Sequence, residues 1–239
     1  MPNTEKLLAK AKALEASNDL EKAAKAYEKA AAFSPEFSGK EHCIREAERL
    51  AMRISNERAV NVYEHLAARE KRAAEKAVYL LRGARSADKL GLKEKARKLY
   101  SKAISLEKKC RNCAMAGKIA EEAGLTEAAA RLYAKAGMVD TASSVARKAR
   151  LKELSIKFYE QAARNALPRE KANCLIKAAR LAREDGMIEK PRKLCSAAVM
   201  ALYRAKDRAA IEEMSKETGC EAIAAKCLKR LNRSISSKA

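Results

Sequence analysis

The chain has no tryptophan and three phenylalanines, with 4% aromatic residues over 239, so it lacks the bulky side chains that fill a thick globular core. Proline (4) and glycine (8) are as scarce, which argues against a sheet fold punctuated by tight turns. No apolar run approaches the roughly 18 residues of a membrane span, and the first dozen residues hold no apolar signal core. The expectation is a soluble, cytoplasmic protein. Seven cysteines, an odd number without a compact spacing framework, suit a reducing compartment better than a disulfide scaffold. Glycine-rich phosphate loops of the GxGxxG or GxxxxGK[ST] kind are absent, and neither His42 nor His65 stands in a recognisable triad. Neither an enzyme nor a cofactor-binding protein is therefore expected.

What the chain does have is alanine, about a fifth of all residues, and charge, 35% of residues, a mixture that favours helix almost throughout. Lysine and arginine number 52 against 31 acidic residues, a net charge of +21. Residues 1–64 carry 11 basic and 11 acidic side chains, whereas residues 65–239 carry 41 basic and 20 acidic. The near-neutral first quarter and the strongly basic remainder are thus different surfaces, and the excess points to an acidic partner.

Self-similarity sets the architecture. Ala23, Tyr27 and Ala30 form a small/aromatic/small set on one helix face, followed by Pro35. The set returns as Ala96, Tyr100, Ala103 and as Ala129, Tyr133, Ala136, with partial copies at Ala59/Tyr63, Tyr159/Ala162 and Cys195/Ala198. Positions 27, 63, 100, 133, 159 and 195 are separated by 36, 37, 33, 26 and 36 residues, a helical-hairpin period with one short unit. Turns repeat too: Gly91-Leu92, Gly124-Leu125, Gly137-Met138, Gly186-Met187 and Gly219-Cys220 each set a glycine after one apolar-periodic stretch. Asn18-Asp19 and Ser55-Asn56 serve likewise in the first units, with Asp19 and Asn56 as caps.

These signals predict fourteen helices: 4–16, 19–33, 39–54, 56–70, 72–89, 92–107, 111–122, 125–136, 138–149, 151–166, 168–184, 188–205, 207–217 and 220–234. The fold class expected is all-α, a single α-solenoid of stacked antiparallel hairpins over residues 1–239, closed by C-terminal capping helices. The span from Thr4 to Phe37, with Ala23, Tyr27, Ala30 and Pro35 in register, resembles a tetratricopeptide repeat. The variable period and the stretch from Tyr159 to Ala179 also resemble the SNAP adaptor branch of that superfamily. The first resemblance implies an interaction scaffold, and the second a membrane-fusion adaptor. Repeats of this kind that clamp acidic peptide termini use Asn with Lys/Arg on the inner helices; the matching places hold Lys12, Arg45 and Arg82 without the Asn pair.

Basic residues align opposite the core face. Lys95, Lys98 and Lys102 follow i, i+3, i+7, and Lys108, Lys109 and Arg111 extend the run. Lys226, Lys229, Arg230 and Arg233 make a second stripe, and Arg69, Lys71, Arg72 and Lys76 a third cluster. Cys110 and Cys113 have the spacing of half a zinc site, but the second pair is missing. The leading functional expectation is a non-enzymatic adaptor for an acidic protein or peptide segment, with residues 1–64 serving self-association or a second contact. One alternative is an RNA- or ribosome-associated protein whose cations track phosphates, and the other, implied by the SNAP resemblance, is an adaptor in a membrane-fusion complex.

Overall fold

Helix ends shape this chain. In the computed structural model, which describes residues 2–34, 37–218 and 221–236, eight connections close in one way. Residues 18, 91, 111, 124, 137, 150, 186 and 206 adopt positive φ, between +56° and +79°. The N–H of the following residue returns to a carbonyl five positions back, as in Asp19 to Leu14 (2.9 Å), Leu92 to Ala87 (2.8 Å) and Met187 to Ala182 (2.9 Å). Orphan carbonyls of each last turn are satisfied this way, and the chain reverses within three residues. Glycine fills four of these places and asparagine one, but Arg111, Arg150 and Lys206 hold the left-handed conformation against their Cβ atoms.

The helices are α1 (Pro2–Ala16), α2 (Leu20–Phe33), α3 (Phe37–Ile54), α4 (Asn56–Arg69), α5 (Ala73–Lys89), α6 (Lys93–Lys109), α7 (Cys113–Glu122), α8 (Thr126–Lys135), α9 (Val139–Lys148), α10 (Lys152–Asn165), α11 (Pro168–Glu184), α12 (Glu189–Arg204), α13 (Arg208–Thr218) and α14 (Glu221–Ser236). All fourteen agree with the sequence expectation to within two residues at either end. Pro35, Gly219 and Cys220 lie outside the described residues, as does the side chain of Arg233.

The chain divides between Leu125 and Thr126 into two compact units. In each, short connections set sequential helices antiparallel, and consecutive helices make the principal contacts. The first unit buries Tyr27, Tyr63 and Tyr100 with Ala23, Ala30, Ala96 and Ala103 around them. The second buries Ala129, Tyr133, Tyr159, Cys195 and Ala198. Small residues flanking one large residue let helices approach closely, which is how so few aromatics suffice. The 26-residue spacing between Tyr133 and Tyr159 reflects the shortness of α8 and α9, 10 residues each.

Three details depart from the sequence reading. Ala136 is an exposed turn residue, because the glycine at 137 ends α8 at Lys135. Ala163, four residues after Tyr159, takes the buried place expected of Ala162. Ser55, not Asn56, caps α4: its Oγ accepts the Arg58 N–H at 3.0 Å, and Asn56 is the first helical residue.

Candidate functional site

Ion pairs between non-consecutive helices show how the hairpins stack. Among odd-numbered helices Arg49 meets Glu15 at 2.6 Å, Arg82 meets Glu41 at 2.6 Å and Arg85 meets Glu122 at 2.6 Å, linking α1, α3, α5 and α7 in one row. Within the second unit Lys177 meets Asp140 at 2.7 Å and Arg147 meets Glu184 at 3.0 Å, linking α9 to α11. Even-numbered helices form the other row. Two parallel rows of alternate helices define a solenoid of hairpins within each unit.

The even row of the first unit has a fixed polarity. Arg58 on α4 donates to Glu28 at 2.7 Å and to Glu21 at 3.1 Å on α2, and Nδ1 of His65 lies 3.0 Å from Glu28. One repeat later Lys95 on α6 lies 3.5 Å from Glu57 and 3.4 Å from Glu64 on α4, with Asn61 as a further partner, and Lys102 lies 3.4 Å from Glu64. In this unit α4 and α6 thus turn cations toward the even helix before them, and α2 and α4 turn carboxylates toward the even helix after them. Burial opposes charge on Arg58, but Glu28 and Glu21 outweigh it and hold the guanidinium above its ordinary pKa.

This ladder changes the reading of the α6 stripe. Lys95 is a largely covered inter-helix anchor, whereas Lys98 is exposed and no ion pair reaches it among the described residues. Residues Glu57, Asn61, Glu64 and Ala68 occupy one face of α4 at i, i+4, i+7, i+11. The acceptor row stops at Ala68, while the basic row continues through Lys102 and Lys109. Where the two rows fall out of balance, a groove of about 400 Å³ opens over α4, α5 and α6. Its apolar floor includes Ala67, Leu80 and Leu106; Lys76 and Lys102 flank it, with Ser105 and the carboxylate of Glu64 beside them. One lysine of the α6 stripe, Lys102, and one of the 69–76 cluster, Lys76, which nothing in their spacing connects, both line this groove. The floor escaped sequence reasoning because Ala67 and Leu80 look like ordinary core residues; the missing acid at Ala68 is the signal that could have found it.

The other candidates lie elsewhere. Lys108, Lys109 and Arg111 are exposed at the end of α6 and the following turn. Lys226, Lys229 and Arg230 project from the exposed side of α14, opposite the buried Ala224, Cys227 and Leu231. Of the clamp-like positions, Lys12 and Arg45 are exposed and Arg82 is held by Glu41.

Other titratable groups serve packing. Tyr63 donates to Glu48 at 2.6 Å, and burial with that carboxylate raises its pKa well above the ordinary phenol value. Burial, then a 2.5 Å hydrogen bond to Asp140, pushes Tyr159 up to about 12. Asp140 is held below its usual value by hydrogen bonds from Lys177 and Tyr159. Cys43, Cys195 and Cys227 are buried, Cys113 and Cys174 half-buried and Cys110 exposed, none of the six in a disulfide. Among the described residues no group of three or more His, Cys, Asp and Glu could hold a metal ion, and no helix is long and apolar enough to cross a membrane.

No protein-family model and no curated protein matches the chain. Among solved structures, it is similar to a kinesin light chain-like protein of Podosopora anserina with nearly identical TPR-like repeats. That match has 14% identity, 85% of this chain and 96% of the other covered, and a TM-score of 0.31. It is also similar to BtubC (BKLC) from P. vanneervenii, at 15% identity with 98% and 92% covered and a TM-score of 0.28. A circular tandem repeat protein matches at 15% identity, 98% and 64% coverage and a TM-score of 0.23. At such scores the assignment of tetratricopeptide-like hairpins rests on the chain's own helix order, turns and buried columns.

Proposed function

We propose that this chain is a non-enzymatic helical-repeat adaptor that receives an acidic segment of another protein across the groove over α4, α5 and α6. The observation that carries this reading is the charge imbalance there: Lys76 and Lys102 flank an apolar floor against a single carboxylate, Glu64, at the point where the acidic row of α4 ends. An acidic side chain can pair with either lysine while a neighbouring apolar side chain covers Ala67, Leu80 and Leu106, so affinity draws on both terms. Glu64 does not compete strongly, since its contact with Lys102 is 3.4 Å long and Lys102 is 60% exposed. Free thiols are consistent with a reducing, cytoplasmic setting.

The test is fluorescence anisotropy of a labelled Glu-rich peptide containing one leucine, titrated with wild type and with a Lys76→Gln/Lys102→Gln variant. Wild type should bind saturably and the variant roughly tenfold more weakly, as loss of two partly exposed pairs implies. Equal affinity for the two proteins would remove the groove from the reading.

A second reading, binding of RNA, is favoured by one observation: the α14 stripe of Lys226, Lys229 and Arg230 is exposed, and none of these side chains is engaged by a carboxylate among the described residues. A labelled mixed-sequence RNA should then bind with a log-log salt slope of about −3 for four or five phosphates, and Lys226→Gln/Lys229→Gln/Arg230→Gln should weaken it. Weak binding even at low salt would eliminate this reading.

A further inference from the structure

The even-row ladder shows what an α2-like face is built to receive, because two copies of the contact are occupied. In the first, α2 lies against α3 and α4, offering Glu21 and Glu28 to Arg58 and His65 while burying Ala24 and Ala31. In the second, α4 offers Glu57 and Glu64 to Lys95 and Lys102 while burying Val60 and Ala67. Both helices carry one pattern, Glu-x2-apolar-x3-Glu-x2-apolar, and both place it over the groove between the two helices of the next hairpin.

The groove between α1 and α2 is the same surface one repeat earlier. In the register set by Tyr27, Tyr63 and Tyr100, Lys22 corresponds to Arg58 and Lys95, and Lys29 to His65 and Lys102. Leu7 and Leu14 correspond to Cys43 and Leu50 on α3, which are 1% and 0% exposed beneath α2. Leu7 and Leu14, by contrast, are only half-buried, and with Ala26 they line an open cavity of about 210 Å³. Lysines 10, 22, 25 and 29 surround that cavity. The pairs that two of them make, Lys22 with Asp19 at 2.8 Å and Lys25 with Glu21 at 3.0 Å, are local, with both lysines largely exposed, and are readily exchanged for a partner's carboxylates. No carboxylate reaches Lys10 or Lys29 among the described residues.

We infer that the α1–α2 groove is a docking site for an acidic amphipathic helix of another protein carrying the Glu-x2-apolar-x3-Glu-x2-apolar face, which seats as α2 seats on α3 and α4. Charge complementarity selects the acidic face, and the half-buried leucines supply the apolar contact. A second copy of this chain is not the occupant. The faces of the chain that carry the pattern lie on α2, α3, α4 and α10, and on each the two apolar positions are already buried (Ala24 and Ala31, Ile44 and Ala51, Val60 and Ala67, Ile156 and Ala163), while the corresponding places on α6 hold Glu94, Arg97, Ser101 and Ile104. This surface is separate from the groove over α4, α5 and α6, so it gives the adaptor a second arm.

The probe is a fluorescently labelled, hydrocarbon-stapled helix of about 15 residues bearing that face with leucine at the apolar positions, stapling being needed because so short a helix is marginal in water. It is titrated against the full chain by anisotropy, beside a control helix with both Glu replaced by Gln. Saturable binding is expected, weakened about tenfold by Lys22→Gln/Lys29→Gln and by the Gln control, and unchanged in Lys76→Gln/Lys102→Gln. None of the substituted lysines is buried, and circular dichroism of each variant is the check that it folds. Absence of saturable binding to wild type, equal binding of the Gln control, or equal loss in both lysine variants would each overturn the inference.

Discussion

Replacing Gly83 by alanine should destabilise the protein, although the same change in an ordinary helix stabilises it. Gly83 lies in the interior of α5, where alanine is favoured over glycine by about 1 kcal/mol. A Cβ built there comes within 2.9 Å of the Tyr63 Cβ on α4 and 3.4 Å of the Leu99 Cδ1 on α6. Leu99 can give way by rotating, but the two Cβ atoms are fixed to their backbones, so α4 and α5 must move apart. Overpacking of a close-packed core costs about 1–3 kcal/mol, and a contact that no rotamer relieves belongs at the upper end of that range. Setting about 3 kcal/mol against the gain of about 1 leaves a net loss near 2 kcal/mol, a fall in Tm of roughly 4–8 °C for a chain of this size. Urea unfolding followed by circular dichroism reads the effect directly. An unchanged or raised midpoint would refute the close approach of α4 and α5, because helix propensity alone gives the opposite sign.

The left-handed turn residues give a test of opposite direction. Arg111→Gly, Arg150→Gly and Lys206→Gly should each stabilise by about 1 kcal/mol, since glycine adopts positive φ without the Cβ penalty; a lowered urea midpoint would count against those turns. Tyr159 provides a pH signature. Its folded pKa of about 12 lies above the unfolded value of 10.0, so the folded state retains a proton that the unfolded state releases between those limits. Stability from this group is complete below pH 10 and declines by about 2 kcal/mol as pH approaches 12; Tyr159→Phe should flatten the decline, and identical alkaline slopes would refute it.

Helix number and ends were legible because each end carries its own chemistry: glycine at 91, 124, 137 and 186, Asp19 as a cap, Pro168 in a first turn. The left-handed arginines and lysine at 111, 150 and 206 end helices by the same geometry yet carry no local signal, so those ends were found only from the apolar periodicity around them. The candidate site was less legible. A basic stripe at i, i+3, i+7 looks the same whether its neighbour is water or a carboxylate, and Lys95 and Lys98 differ only through what α4 places opposite. The register relating Lys22, Arg58 and Lys95 was implicit in the tyrosine spacing, but its meaning depends on which helices touch.

That register gives the array a direction. Along the even row of the first unit the cations of α4 and α6 face back and the carboxylates of α2 and α4 face forward, so neighbouring even helices there join by unlike faces. An even helix inserted in the same sense finds a complementary seat on both sides, whereas one inserted in reverse would set Glu against Glu and lysine against arginine. Such an array can gain repeats by duplication without new interface chemistry, while mispaired stacking during folding is discouraged by repulsion. The ion pairs, individually modest in stability, thereby act as a spelling rule for the order in which repeats assemble.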